Sequence, residues 1–347
     1  MPSQNFLPLR QLGKDGPKVP AVGFGLMVLT GVYGQAVSEQ DGFKILDRAF
    51  ELGETFWDTA DIYHGNEELL SKWFTRTEKR QEVFLASKGA IKMEGMTFKG
   101  IDSSGQYIKD ACEKSLTRLN VEYIDLYYAH RLNPDTPVEE TMRALRELQK
   151  EGKIKHIGLC EPSSTALRRA IKIAPVAAVQ IEYSPFVRDV ETETSQHLAA
   201  TCQELGIALV CSSPLGRGLL TGSLNTQSDL SRDTDVRAKA FPWFSEENLE
   251  ANVKLVARFK ELAEKKGCST SQMALAWLLA QGDNVLPIPG TTRIKYLEDN
   301  IEASTLDLNS SEAAEVRSFL EQNNVQGYHS IEQAKSFSYT DTRYEGQ

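Results

Sequence analysis

The stretch 124–181, IDLYYAHRLNPDTPVEETMRALRELQKEGKIKHIGLCEPSSTALRRAIKIAPVAAVQI, reads as three short apolar runs separated by two amphipathic ones. The runs Ile124 to Ala129, Ile154 to Leu159 and Ala177 to Ile181 have strand length and composition. Those over Val138 to Lys150 and Ser164 to Ile173 place apolar residues at helical spacing. Strand, helix, strand, helix, strand is the pattern of βαβ units on a parallel sheet. The alternation continues in both directions. Towards the amino end lie Val19 to Leu26, a helix over Ser38 to Leu52 with Ser38 as N-cap and Gly53 at its C-terminus, and Thr55 to Trp57. A helix over Glu67 to Phe74, Val83 to Ala86 and a helix from Ser104 to Leu119 complete that half. Towards the carboxyl end come a helix closing near Leu205, Ile207 to Cys211, paired helices over Ser245 to Lys266 and Ser269 to Ala280, and Val285 to Ile288.

Eight such units without an intervening linker predict a single (β/α)8 barrel over residues 1–347, with a core of about 19–305, rather than two open-sheet domains. The 347 residues suit this, at roughly 150 residues per domain for open folds and more for a barrel. The longest irregular region, Gly216 to Phe244, follows the seventh strand. The tail 323–347 carries Tyr328, Phe337, Tyr339 and Tyr344. In a barrel both can overhang the active-site mouth; alternatively the loop only packs and the tail frays.

The formal charge of −9 argues against nucleic acid and anionic lipid as partners. Cys112, Cys160, Cys202, Cys211 and Cys268 are scattered, with no CxxC pair and no zinc-ligand spacing, which reads as a reduced chain without a structural metal. The opening residues lack a secretory pattern, and no run is long and apolar enough to span a membrane, so a cytoplasmic setting is expected.

In a barrel, chemistry gathers at the C-terminal ends of the strands. There the sequence puts Asp58 and, in the loop behind it, Tyr63; Lys88; and His130. Together they make a proton donor: an ammonium stabilises a phenolate and lowers the phenol's pKa, a carboxylate holds the ammonium, and an imidazole orients the reacting oxygen. Taken singly, each has an ordinary structural alternative as cap, surface charge, core aromatic or strand-end histidine.

The ordered segments DTADIYHGNEELL (58–70), LASKG (85–89), DLYYAHR (125–131), KIKHIGLCE (153–161), AAVQIEYSPF (177–186), SPLGRGLLTG (213–222) and LPIPGTTRIKYLEDN (286–300) resemble the aldo-keto reductase superfamily. The resemblance implies NADPH-dependent interconversion of carbonyls and alcohols without metal. By it Tyr63 is the general acid, Lys88 and Asp58 tune it, and His130 orients the carbonyl. It also implies a cofactor site of Gly25, Asp58, Cys160, Glu161 and Gln180, with Ser212 at the nicotinamide-stacking position, the pyrophosphate loop from Ser213 through Pro214, Leu215, Gly216 and Arg217 to Gly218, and the phosphate turn Gly290, Thr291, Thr292 and Arg293. Asn300 corresponds to an adenine contact. Arg293 suits a 2′-phosphate, hence NADPH over NADH.

Ser212 stands where many members have a tyrosine that stacks on the nicotinamide, and Cys160 and Glu161 where serine and asparagine are common. The segments 23–30 and 158–161 look most similar to the fungal branch that includes pyridoxal reductases, although the surroundings of His130 differ from that pattern. Met27 and Trp243, with Phe241 and Phe244, are the expected apolar wall beside Tyr63 and His130. Two other readings stand beside this one. An NADPH-sensing regulatory subunit would bind cofactor and turn over very slowly; a metal-dependent hydrolase lacks a converging His/Asp cluster.

Overall fold

The computed structural model describes residues 7–31, 33–95, 97–230, 235–331 and 336–346. Eight parallel strands form the barrel: β1 (Phe24–Gly25), β2 (Phe56–Asp58), β3 (Phe84–Gly89), β4 (Ile124–Ala129), β5 (Ile154–Cys160), β6 (Ala178–Glu182), β7 (Ala208–Ser212) and β8 (Val285–Pro287). They pair in chain order from β1 to β8. The seam between β8 and β1 is closed by two backbone hydrogen bonds, from Gly23 N–H to the Pro287 carbonyl (2.9 Å) and from Gly25 N–H to the Pro289 carbonyl (3.2 Å). The strands are this close because both sides carry glycine: a Cβ on Gly25 would lie 2.7 Å from the Ile288 carbonyl oxygen, and one on Gly290 2.6 Å from that of Gly25.

Helices wrap the outside: α1 (Glu39–Glu51), α2 (Asn66–Thr77), α3 (Gly105–Leu119), α4 (Val138–Lys150), α5 (Ser164–Ala170), α6 (Leu198–Leu205), α7 (Glu246–Lys266), α8 (Thr270–Leu279), α9 (Ile294–Glu302) and α10 (Ser310–Gln322). Ser38 caps α1 by accepting from Asp41 N–H. Most helices turn an apolar stripe inward and α8 is buried nearly all round, so the outward-facing strand residues and the helices share one large core that includes Trp57, Trp73, Phe259 and Trp277.

Inside the barrel, the period of two along a strand sorts residues by height. Phe56, Ala86, Leu126, Tyr128, Ala178, Ala208, Val210 and Leu286 fill the lower interior as a separate cluster, sealed below by Leu12 and Val19. Two or four residues further along the same inward columns stand Asp58, Lys88, His130, Gln180, Glu182 and Ser212. The alternation that makes the core thus delivers polar groups to the top.

Three features depart from the sequence expectation. The segment Val19 to Leu26 is split: Lys18–Pro20 pairs antiparallel with Leu9–Gln11 in a hairpin that plugs the barrel floor, and only Phe24–Gly25 joins the barrel. A second hairpin, Ile91–Glu94 with Thr97–Ile101, rises after β3. Finally, α10 follows the eighth unit, with Asn309 forming a capping box with Glu312. Among the described residues no helix is long and apolar enough to cross a membrane.

The described part of the tail is docked. Ser163 N–H donates to the Thr340 carbonyl (3.0 Å), Thr340 N–H to the Glu161 carbonyl (3.2 Å) and Arg343 N–H to the Pro134 carbonyl (2.9 Å). Arg169 clasps it from below, donating to the carbonyls of Thr342 and Arg343 while pairing with Glu139. Positions 332–335 and 347 of the expected tail, and 231–234 of the long loop, lie outside the described residues.

Candidate active site

A cavity of about 740 Å³ opens at the C-terminal end of the strands. Its wall includes Gly25, Met27, Asp58, Tyr63, His130, Cys160, Glu161, Gln180, Ser212, Pro214, Leu215, Arg217 and the run Gly290 to Arg293. Strand ends and the turn after β8 therefore face one space.

Behind the wall, beneath Asp58 and Tyr63, Lys88 is fully buried and donates to a carboxylate oxygen of Asp58 and to the Thr59 carbonyl (2.8 Å). Burial works against the ammonium, but the neighbouring Asp58 outweighs it and holds Lys88 protonated well above the usual range. The other Asp58 oxygen accepts from Gln180 Nε2 at 2.7 Å, leaving the Gln180 carbonyl oxygen for another donor. The Lys88 nitrogen lies 5.2 Å from the Tyr63 ring centre, and the Tyr63 and His130 rings meet edge to face at 6.2 Å.

Burial raises the Tyr63 phenol above its ordinary value, against the pull of Lys88. The expected net lowering by the lysine is thus reversed, because desolvation of a phenolate is the larger effect here. His130 is pushed well below its ordinary value by burial, then by Lys88 and Arg131, so its imidazole is neutral at pH 7. Its Nδ1 is buried with no partner among the described residues.

Around the rim several charges are paired. Arg131 donates to Glu161 (3.1 Å), whose second oxygen is buried and has no partner among the described residues. Arg217 grips Glu182 with its two terminal guanidinium nitrogens, and His329 bridges Glu182 (3.1 Å) and Asp189 (3.2 Å). Burial alone would raise the Glu182 carboxyl, yet Arg217 and His329 hold it down at about 2. Arg237 donates to Asp235 and to the Arg217 carbonyl (2.9 Å). Burial pushes the Cys160 thiol up to about 12, making it a packing group.

Several expected positions fall elsewhere. Trp243 is not on the cavity wall: with Phe244 it sits in a satellite core under the long loop, against Leu219, Leu224 and Leu249, because the indole fills the space beside Gly216 and His329. Of that aromatic group only Phe241 reaches the wall. Gly216 and Asn300 are buried behind the wall rather than on it. Arg217 reaches the wall with its side chain already engaged by Glu182. Tyr339 of the tail reaches the cavity, as an overhanging tail would, and Tyr33, Glu182, Arg237 and His329 line it too without having been singled out. Glu182 had a signal, since it follows Gln180 by two and shares its inward face. The others come from loops whose approach depends on tertiary contacts.

Residues 21–321 match the model of the Aldo/keto reductase family. The chain is 44% identical over 326 residues to "Aldo-keto reductase str7" of Strobilurus tenacellus, covering 92% of this chain and 94% of that protein. It is 42% identical to "Aldo-keto reductase yakc [NADP(+)]" of Schizosaccharomyces pombe, over 90% and 91%. Among solved structures it is similar to the glycerol dehydrogenase AKR11B4 from Gluconobacter oxydans, with a TM-score of 0.78 and 26% identity over 92% of this chain and 96% of that one. A (β/α)8 barrel with its polar residues gathered at the C-terminal pole is an enzyme scaffold. This chain belongs to the aldo/keto reductase family.

Proposed function

We propose that the protein reduces the carbonyl of a small aldehyde or ketone to the alcohol, reversibly, with NADPH and with Tyr63 as the general acid. The observation that carries this is the buried Asp58–Lys88 pair set against Tyr63 and His130 on a cavity that also holds the turn Gly290 to Arg293. The residues suit a nicotinamide cofactor. Among the described residues one buried carboxylate oxygen of Glu161 has no partner, and Gln180 spends its Nε2 on Asp58, which leaves its carbonyl oxygen as a second acceptor for a carboxamide N–H group. Cys160 and Gly25 complete that wall, with Ser212, Pro214 and Leu215 beside it. Thr291, Thr292 and Arg293, at the start of α9, would take the 2′-phosphate. When bound, the cofactor supplies the hydride.

The protein's own part is the proton and the oxyanion. Tyr63, with its raised pKa, is a protonated donor at neutral pH. Neutral His130 donates a hydrogen bond to the carbonyl oxygen without giving up a proton, and so orients it. The Lys88 charge, kept by Asp58, stabilises the phenolate that forms. The five free cysteines accord with a cytoplasmic setting.

The test follows NADPH oxidation over aromatic aldehydes, pyridoxal, short aliphatic aldehydes and diketones. Tyr63→Phe is expected to lower kcat by about 10²- to 10⁴-fold with NADPH affinity nearly unchanged. An equally active variant defeats the assignment. Tight NADPH binding with no turnover across the panel would favour a regulatory barrel instead.

A further inference from the structure

We infer that Thr59 and Asn66 form a positioning pair for proton transfer, a buried hydroxyl and amide that aim the Lys88 ammonium at Tyr63 and tie it to the cavity wall at Leu26. This rests on the proposed role of Tyr63. An ammonium has three N–H donors in tetrahedral arrangement, so fixing two fixes the direction of the third. Lys88 spends one donor on the Asp58 carboxylate and one on the Thr59 carbonyl, with the Tyr63 ring centre 5.2 Å away. The placement of the Thr59 peptide therefore sets where the remaining donor points.

That peptide is held from three sides. Thr59 is fully buried; its N–H donates to the Ala86 carbonyl (2.9 Å), and its hydroxyl donates to Asn66 Oδ1 (2.6 Å). Asn66, also fully buried, donates from Nδ2 to the Leu26 carbonyl (2.9 Å) and to Thr30 Oγ1 (3.3 Å). Leu26 N–H donates in turn to the Asp58 carbonyl (2.9 Å), which closes the circuit Leu26, Asp58, Thr59, Asn66. Asn66 N–H also donates to the Tyr63 carbonyl (2.8 Å), so one residue touches both ends of the turn that carries the phenol.

The pair has no capping duty that would explain it otherwise. The N-cap of α2 is Gly65, which makes no side-chain cap, and Asn66 is the first helical residue. Both side chains turn away from the helix end, towards the strand tops. Completely removed from water, the hydroxyl and the carboxamide offset their desolvation by hydrogen bonds whose partners fix their geometry. Here the geometry in question is that of the catalytic lysine and the wall formed by Leu26 and Met27.

The experiment compares Thr59→Val, which keeps the branched shape and deletes the hydroxyl, with Thr59→Ser, which keeps the hydroxyl and deletes the methyl. With the best aldehyde of the panel, Thr59→Val is expected to lose roughly tenfold in kcat with NADPH Kd within about twofold of wild type. The alkaline limb of its kcat profile should move to higher pH, because a mis-aimed ammonium stabilises the phenolate less. Thr59→Ser should recover most of the turnover. Asn66→Ala serves where Thr59→Val does not fold, with the same kcat loss and unchanged Kd expected.

A folded Thr59→Val with wild-type kcat and alkaline limb overturns the inference, as does a Thr59→Ser equally impaired, since activity would then follow packing rather than the hydroxyl. Tyr63→Phe is measured alongside. If it remains active, the general-acid reading itself fails; if it is inactive while Thr59→Val behaves as wild type, only the positioning role fails.

Discussion

Asp61 precedes Tyr63 by two residues, and its Oδ1 is buried with no partner among the described residues. Burial, then the nearby Glu67 carboxylate, raises its pKa to about 7, while Arg118 and Lys88 only partly offset them. Below about pH 4 both folded and unfolded chains hold this proton, and the group costs nothing. As pH rises, the unfolded chain releases the proton first, so stability falls from there to about 7 and is then level. Asp61→Asn removes this loss. Its melting temperature is expected to exceed wild type by about 2–4 °C at pH 8 and to match it near pH 4, as read by differential scanning fluorimetry at the two pH values. No gain at pH 8 would mean that the carboxylate finds compensation within the folded protein.

Between elements, the most consequential contact is His329, which joins the segment after α10 to the end of β6 and to the loop holding Asp189. Burial opposes the imidazolium, but Asp189 and Glu182 prevail and raise its pKa to about 9. The stabilisation is present in full below the unfolded histidine's value of about 6.5 and is lost as pH rises through about 9. Wild type should therefore melt progressively lower from pH 7 to 9.5, and His329→Asn should be flatter over that interval; parallel curves would show that His329 carries no charge in the folded protein.

This latch was not legible in the sequence, because it joins residues far apart in the chain through groups with no local periodicity. The barrel elements were legible for the opposite reason. Val138–Lys150 has a strong apolar stripe, and Ser38 is a local cap whose partner is three residues away. The division of Val19 to Leu26 between floor hairpin and β1 was hidden, since both pieces are apolar and only their distant partners differ. The helix α10 was missed because just Val316 and Leu320 of it are buried among charged residues. In the site, Asp58, Lys88, His130 and Gln180 were legible as polar residues capping apolar runs. Trp243 misled because an aromatic in a long loop looks alike whether it faces a ligand or a small core of its own.

At the scale of the molecule, the barrel has a structural pole and a chemical one. At the lower pole Arg10 donates to the carbonyls of Leu279 (2.7 Å), Gly282 (2.6 Å) and Val285 (2.6 Å), riveting the floor hairpin to the turn that enters β8. Arg10→Ala is expected to lower stability by about 2–3 kcal/mol in urea unfolding and to leave kcat/KM unchanged; a changed kcat/KM would show that the two poles are coupled. The seam between β1 and β8 lies under both. Prolines at 287 and 289 have no N–H to give, so the strands on either side are joined in one direction only, by Gly23 and Gly25. Yet Gly25 stands on one bank and Gly290 to Arg293 on the other, all facing the same cavity. A molecule lying across them works as a clasp on a split hoop. Amide exchange should slow first at Gly23 and Gly25 when the cavity is filled, which makes the protection of two glycines a reporter of occupancy that needs no catalysis.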